Sequence, residues 1–226
     1  MDSKVFDKIN FKEKYIKYKK KYLELKKSKG MTGGNYRHDI WIENNFFEDN
    51  KFSKISNYCK KLLNDLKEDE RTNDRKTLCL HPEKHKEVYN LIYDDPKFNE
   101  YIKSISTRKY RLRPTFPIEL RMYPTGSKGM RWHMDTSMFS PDCFEVVLTL
   151  ENTSDSKFLY DLMFTKEVDP KPNTMAIVKP LSVFHKVTPV TKGYRTILKF
   201  VVEFLDENNE NKFNGNFKNE LSKCPF

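Results

Sequence analysis

Four residues of this chain could do chemistry together: His133, Asp135, His185 and Arg195. Two neutral imidazoles and one carboxylate bind a divalent transition metal and leave further coordination positions open. Arg195 stands ten residues after His185. Its planar fork of donors suits a carboxylate, held in bidentate fashion. As a set, the four describe a metal centre with an anion anchor beside it. The His-x-Asp pair alone is weak evidence. With five histidines and 32 acidic residues in 226, about 0.7 such pairs arise by chance. The reading therefore depends on the elements that carry these residues.

Residues i and i+2 of a strand share a face, so a strand through His133 and Asp135 sends both to one ion and turns Met134 away. His185 lies 50 residues beyond Asp135 and must arrive from another strand. After Arg108 the sequence supplies strands: 119–123, 144–150, 174–179 and 194–204 alternate apolar and polar residues between Pro and Gly turns. Before it come a short strand from Asp39 and three helices. The first places Phe52, Ile55, Cys59, Leu62, Leu63 and Leu66 on one face. The second is predicted over 82–93, and the third starts at Asp95-Pro96, a cap followed by an N1 proline. Residues 67–77 are charged and polar and read as a loop. Helices followed by short strands predict an α+β chain with its helices on one sheet of a β-sandwich or jelly roll. In the last strand Thr196, Leu198, Phe200, Val202 and Phe204 would face the helices, with Arg195 and Ile197 turned into the sandwich.

The chain carries a net charge of +10, but residues 1–35 hold 11 Lys against 4 Asp or Glu, which is +7 of that total. The basic character belongs to the tail and does not say what the main domain binds. The tail reads as a lysine-rich helix over 5–29, stopped by Gly30 and a Gly-rich linker. Three units follow: the arm at 1–35, the main domain at 36–205 and a polar extension at 206–226. No run approaches the roughly 18 apolar residues of a membrane span, and no secretory leader is visible. Cys59, Cys79, Cys143 and Cys224 are widely and irregularly spaced. They read as reduced thiols of a cytoplasmic, intracellular protein, and not as a disulfide framework or zinc site. His81 and His85, four apart near a helix, read as an exposed face, and His38 also lies outside the triad.

Three segments now carry a resemblance: Glu119-Leu-Arg-Met-Tyr-Pro-Thr-Gly126, Trp132-His-Met-Asp135, and His185-Lys-Val-Thr-Pro-Val-Thr-Lys-Gly-Tyr-Arg195. Together they resemble the Fe(II)- and 2-oxoglutarate-dependent dioxygenases, in particular the prolyl-4-hydroxylase-like branch, over about residues 36–205. The resemblance implies a double-stranded β-helix (jelly roll). It implies that His133, Asp135 and His185 bind Fe(II) and that Arg195 pairs with the distal carboxylate of 2-oxoglutarate. Tyr123 and Thr149 fall where cosubstrate contacts are expected, and O2 is the second cosubstrate. The implied reaction hydroxylates a substrate C–H with release of succinate and CO2. The segment Leu150–Tyr160 departs from the Gly-Gly-Glu-like pattern of many relatives, which leaves their substrates in doubt. The basic N-terminal helix ending in Gly-Gly also resembles leader segments of giant DNA virus proteins, implying host cytoplasm or virion.

A protein or peptide substrate, modified at proline or lysine, follows by analogy with that branch. Trp132, Met138, Phe139 and Tyr160 are candidates for its pocket mouth or for packing. The basic arm keeps nucleic acid open as a partner, and a small molecule is a further alternative. A non-catalytic jelly-roll binding module is opposed by the intact set of triad and Arg195.

Overall fold

The computed structural model describes residues 39–213, apart from 73, 113, 141 and 162–164. The expected basic helix and Gly-rich linker at 1–35, and the chain beyond 213, lie outside the described residues.

Among the described residues, thirteen strands and three α-helices follow in the order β1 (Ile40–Glu43), α1 (Asp49–Lys61), β2 (Lys67–Glu68), β3 (Lys76–Leu80), α2 (Lys86–Tyr93), α3 (Pro96–Ile105), β4 (Ile118–Tyr123), β5 (Met130–His133), β6 (Phe139–Ser140), β7 (Cys143–Asn152), β8 (Phe158–Tyr160), β9 (Lys166–Val168), β10 (Met175–Val178), β11 (His185–Val187), β12 (Arg195–Glu203) and β13 (Lys212–Phe213). A seven-stranded sheet runs β1-β10-β7-β12-β4-β3-β2, and a four-stranded sheet runs β5-β11-β8-β9. Every pairing is antiparallel.

Strand parity divides the large sheet into two chemically different faces. Leu78 and Leu80 of β3, Ile118 and Leu120 of β4, Val146 and Leu148 of β7, and Leu198, Phe200 and Val202 of β12 face the helices. There they join Ile55, Cys59, Val88, Tyr89, Ile92, Tyr93, Phe98 and Ile102 in one buried core. The predicted apolar face of the last strand is therefore where expected. Tyr93, Phe98 and Phe200 meet with ring centroids 5.8–6.0 Å apart, close to the edge-to-face spacing aromatic pairs favour. The Asp95 side chain accepts from the Phe98 backbone N–H at 2.7 Å, confirming the predicted cap of α3.

Three expectations change. Helix α2 begins at Lys86, because 82–85 form a turn in which Lys84 and His85 donate back to the His81 carbonyl. Residues 67–77 are not a plain loop: β2 and the start of β3 pair there as a hairpin at the sheet edge. Their charge suits an edge, and it also serves an ion cluster described below. Cys79 is disulfide-bonded, which overturns the reading of four reduced thiols; Cys59 and Cys143 are buried free thiols. Wide spacing along the chain says little about proximity in a fold. No helix among the described residues is long and apolar enough to cross a membrane.

Candidate active site

The inner face of the large sheet is polar where its outer face is apolar. Glu119, Arg121 and Tyr123 of β4, Glu145 and Thr149 of β7, and Arg195 and Lys199 of β12 all have inward parity. With Asp135 and His185 from across the sandwich, most of them line a cavity of about 100 Å³.

His133 ends β5, and His185 opens β11 directly opposite it. Asp135 lies two residues past the end of β5, so it arrives from the following turn and not, as expected, from the strand itself. That turn is tied down by the Leu181 N–H, which donates to the Asp135 carbonyl at 2.9 Å. The three side chains offer ligand atoms that lie within 4.8 Å of one another. His185 Nε2 stands 3.3 Å from Asp135 Oδ2, and His133 Nε2 stands 3.5 Å from Asp135 Oδ1. The Nδ1 atoms face backbone carbonyls, His133 with Arg131 at 2.7 Å and His185 with Val183 at 3.3 Å. A hydrogen bond there fixes the proton on Nδ1 and leaves the Nε2 lone pair for a metal. His133 Nε2 is buried with no hydrogen-bond partner, as an atom reserved for an ion would be.

The charge states of Asp135 and His185 suit the same task, while contact with the Asp135 carboxylate raises His133. Burial would raise the Asp135 carboxyl, but contact with His133 and the charges of Lys199 and His185 bring it down to about 2. Burial lowers His185, favouring the neutral imidazole a metal requires.

Arg195 is 6 % exposed and has no carboxylate partner among the described residues. Its Nε is buried and unbonded, and its guanidinium lies 5.2 Å from the Tyr123 ring centroid. Burial lowers its pKa, with Tyr123 opposing. Gly193 shapes the approach to this residue. Its φ is +69°, and a Cβ there would fall 2.3 Å from the Thr153 carbonyl oxygen. Tyr123 is the direct cross-strand partner of Arg195, and Thr149 of Ile197. Both line the cavity.

Several charged residues of the site were not anticipated from the sequence. Lys199 and Glu145 form a buried pair at 2.6 Å on the cavity floor. Arg121 pairs with Glu119, and Arg71 Nη1 reaches the same carboxylate at 2.6 Å. Arg71 and Arg75 both clasp Asp69, at 2.8 and 2.7 Å, and Thr77 donates to it at 2.8 Å. The hairpin read as a loop thus anchors a ladder of charges that ends at the cavity. Period-two alternation carried a signal for Arg121, Glu145 and Lys199, because each occupies an inward position.

Of the residues considered for the pocket mouth, Trp132 lies on β5 under Lys186, and Tyr160 on β8 is the cross-strand partner of His185. Met138 and Phe139 are buried instead in a separate cluster with Phe116, Cys143 and Val201. His85 sits 3.0 Å from the Tyr58 hydroxyl, away from the triad.

No family model matches the sequence, and no curated protein matches it. Solved structures do match. A prolyl hydroxylase from Trichoplax adhaerens, in complex with a peptide fragment of the hypoxia inducible factor oxygen degradation domain, superposes with a TM-score of 0.60 at 14 % identity; the match covers 76 % of this chain and 86 % of that one. A Pseudomonas putida prolyl-4-hydroxylase gives 0.57 at 14 %, covering 74 % and 94 %. HygX from Streptomyces hygroscopicus, with nickel, 2-oxoglutarate and hygromycin B bound, gives 0.54 at 10 %, covering 73 % and 82 %. At these identities the likeness establishes the fold, the jelly roll of the 2-oxoglutarate oxygenases.

Proposed function

We propose that this protein is an Fe(II)- and 2-oxoglutarate-dependent dioxygenase that hydroxylates a C–H bond of a protein side chain, prolyl or lysyl. One observation carries the reading. A converging His133–Asp135–His185 set and a buried guanidinium without a carboxylate, that of Arg195, line the same cavity. The matched fold is that of proteins which bind this metal class and cosubstrate.

In this reading the Nε2 atoms of the two histidines and a carboxylate oxygen of Asp135 hold the iron, and Arg195 takes the distal carboxylate of 2-oxoglutarate. Iron with 2-oxoglutarate and O2 supplies the oxidative decarboxylation that yields succinate and CO2 and hydroxylates the substrate. The chain's own groups orient and enclose. The carbonyls of Arg131 and Val183 fix the imidazole tautomers. Val147, Phe158, Val187 and Ile197 give the cavity apolar walls that exclude water. A peptide substrate is supported by the Trichoplax relative, held with a peptide, and by Trp132 and Tyr160 on strands beside the histidines. A small-molecule substrate is a second reading, supported by hygromycin B in HygX.

The test is a titration of 2-oxoglutarate into the anaerobic Fe(II)-loaded protein. A saturable visible charge-transfer band is expected, and Arg195→Ala should lose it while retaining iron. His133→Ala should abolish iron binding with an unchanged circular dichroism spectrum. Iron bound as tightly in His133→Ala as in the parent protein would sink the ligand assignment. Bound iron with no band in the parent protein would sink the cosubstrate.

A further inference from the structure

Arg195 is not the only guanidinium at its end of the cavity. Tyr123 is opposite Arg195, and Arg121 is opposite Ile197, so both arginines project from one sheet face and flank Tyr123. Positions related in this diagonal way lie about 7–8 Å apart, within reach of long side chains. Both residues are buried, at 7 % and 6 % exposure, and both line the cavity. The Nε of each is buried with no hydrogen-bond partner.

The surrounding charges do not balance. Among the described residues, Arg71, Arg75 and Arg121 pair with two carboxylates, Asp69 and Glu119, Arg195 pairs with none, and the carboxylate of Asp135 is turned to the histidines. Glu119 is shared between Arg121 and Arg71, and Asp69 between Arg71 and Arg75. Lys199 and Glu145 neutralise each other. A buried cation in excess is costly unless an anion comes to it. A carboxylate has two oxygens and about four acceptor sites, enough for two guanidinium groups at once.

We propose that Arg121 is a second anchor for the distal carboxylate of the 2-oxo acid, acting with Arg195, and that it makes the pocket select 2-oxo acids whose far end is anionic. The Glu119–Arg71–Asp69 ladder positions it: each carboxylate grips the next guanidinium, from the β2–β3 hairpin inward to the cavity. The inference rests on the cosubstrate reading above and extends it to a residue outside the triad and its arginine.

The experiment compares 2-oxoglutarate with pyruvate, which keeps the metal-chelating 2-oxo acid head and lacks the distal carboxylate. Dissociation constants are read from the anaerobic Fe(II) charge-transfer band, without turnover. In Arg121→Met the constant for 2-oxoglutarate should rise about ten- to a hundredfold, the scale of a lost charge-assisted hydrogen bond, while that for pyruvate stays the same. Arg121→Lys should recover part of the loss. If Arg121→Met does not fold because Glu119 is left charged, the Glu119→Gln/Arg121→Met pair gives the same comparison, with Arg71 still hydrogen-bonded. An unchanged constant for 2-oxoglutarate overturns the proposal, and so does equal weakening of both acids, which marks a purely structural role. If the parent protein binds iron and gives no band with either acid, the cosubstrate reading falls and takes this proposal with it. A band lost in Arg195→Ala but unaffected by Arg121→Met defeats this proposal alone.

Discussion

Tyr123 is the residue whose chemistry is most altered by its neighbours. Burial would push its phenol up, but the charges of Arg121, Arg75 and Arg195 outweigh that and bring it down to about 8. Below that value the neutral hydroxyl can donate to an incoming carboxylate. Above it a phenolate occupies the same guanidinium groups and repels the ligand. Affinity for 2-oxoglutarate should therefore fall as pH rises through about 8, and Tyr123→Phe should flatten the profile. Binding isotherms from pH 6.5 to 9 on both proteins check this; superimposable profiles would assign the pH effect to another group. At this scale the sequence was partly legible. The triad and Arg195 stand out because their residue types are rare in combination and their spacing has a chemical meaning. Arg121, Glu145 and Lys199 did not stand out, because charged residues are common in this chain. A charge in a strand ordinarily faces water. Alternation assigns these three to one face, but only the sheet's two-sided burial shows that this face is closed to water.

At the scale of elements, β4, β7 and β12 each present an apolar row to the helices and a polar row to the cavity. The two jobs are separable by parity. Phe200 is fully buried against Tyr93 and Phe98 and has outward parity, away from the cavity. Phe200→Ala should cost about 3–5 kcal/mol of stability. Where it remains folded, it should leave the 2-oxoglutarate constant unchanged. Chemical denaturation paired with the charge-transfer titration separates the two effects, and a large change in affinity at constant fold would contradict the division of faces. The long strands and α3 were readable because several residues of alternation, or an Asp-Pro cap, suffice to show a period. The small sheet was much less readable. Its strands span three or four residues, and β5 and β11 pair across a register shift between His185 and Val187, so alternation has no room to appear. The β2–β3 hairpin was hidden for a different reason: its charges pair with one another across the turn, and Arg71 also reaches Glu119 on β4, distant in sequence.

As a whole, the molecule is a sandwich in which helices stabilise one sheet from outside while the space between sheets is given over to charge. Sequence reasoning captured this architecture because the order of helices and strands restricts the ways the layers can stack. It did not capture how much uncompensated positive charge the interior holds, which is a property of the assembled sheet. That charge ties the folding equilibrium to the ligand. A compound that binds only the folded chain stabilises it by RT ln(1 + [L]/Kd), about 2.7 kcal/mol at a hundredfold excess over Kd. Thermal unfolding of the metal-loaded protein should therefore shift upward with 2-oxoglutarate. Arg195→Leu should do the opposite of a damaging core substitution: it should raise the melting temperature of the ligand-free protein and erase the ligand-dependent shift. A lower ligand-free melting temperature in that variant would show that Arg195 is already satisfied. If the variant behaves so, the guanidinium of Arg195, which has no carboxylate among the described residues, holds the resting protein below the stability its packing allows, a standing trade of durability for readiness. It follows that the lifetime of the folded chain should track the supply of the anion that fills this site.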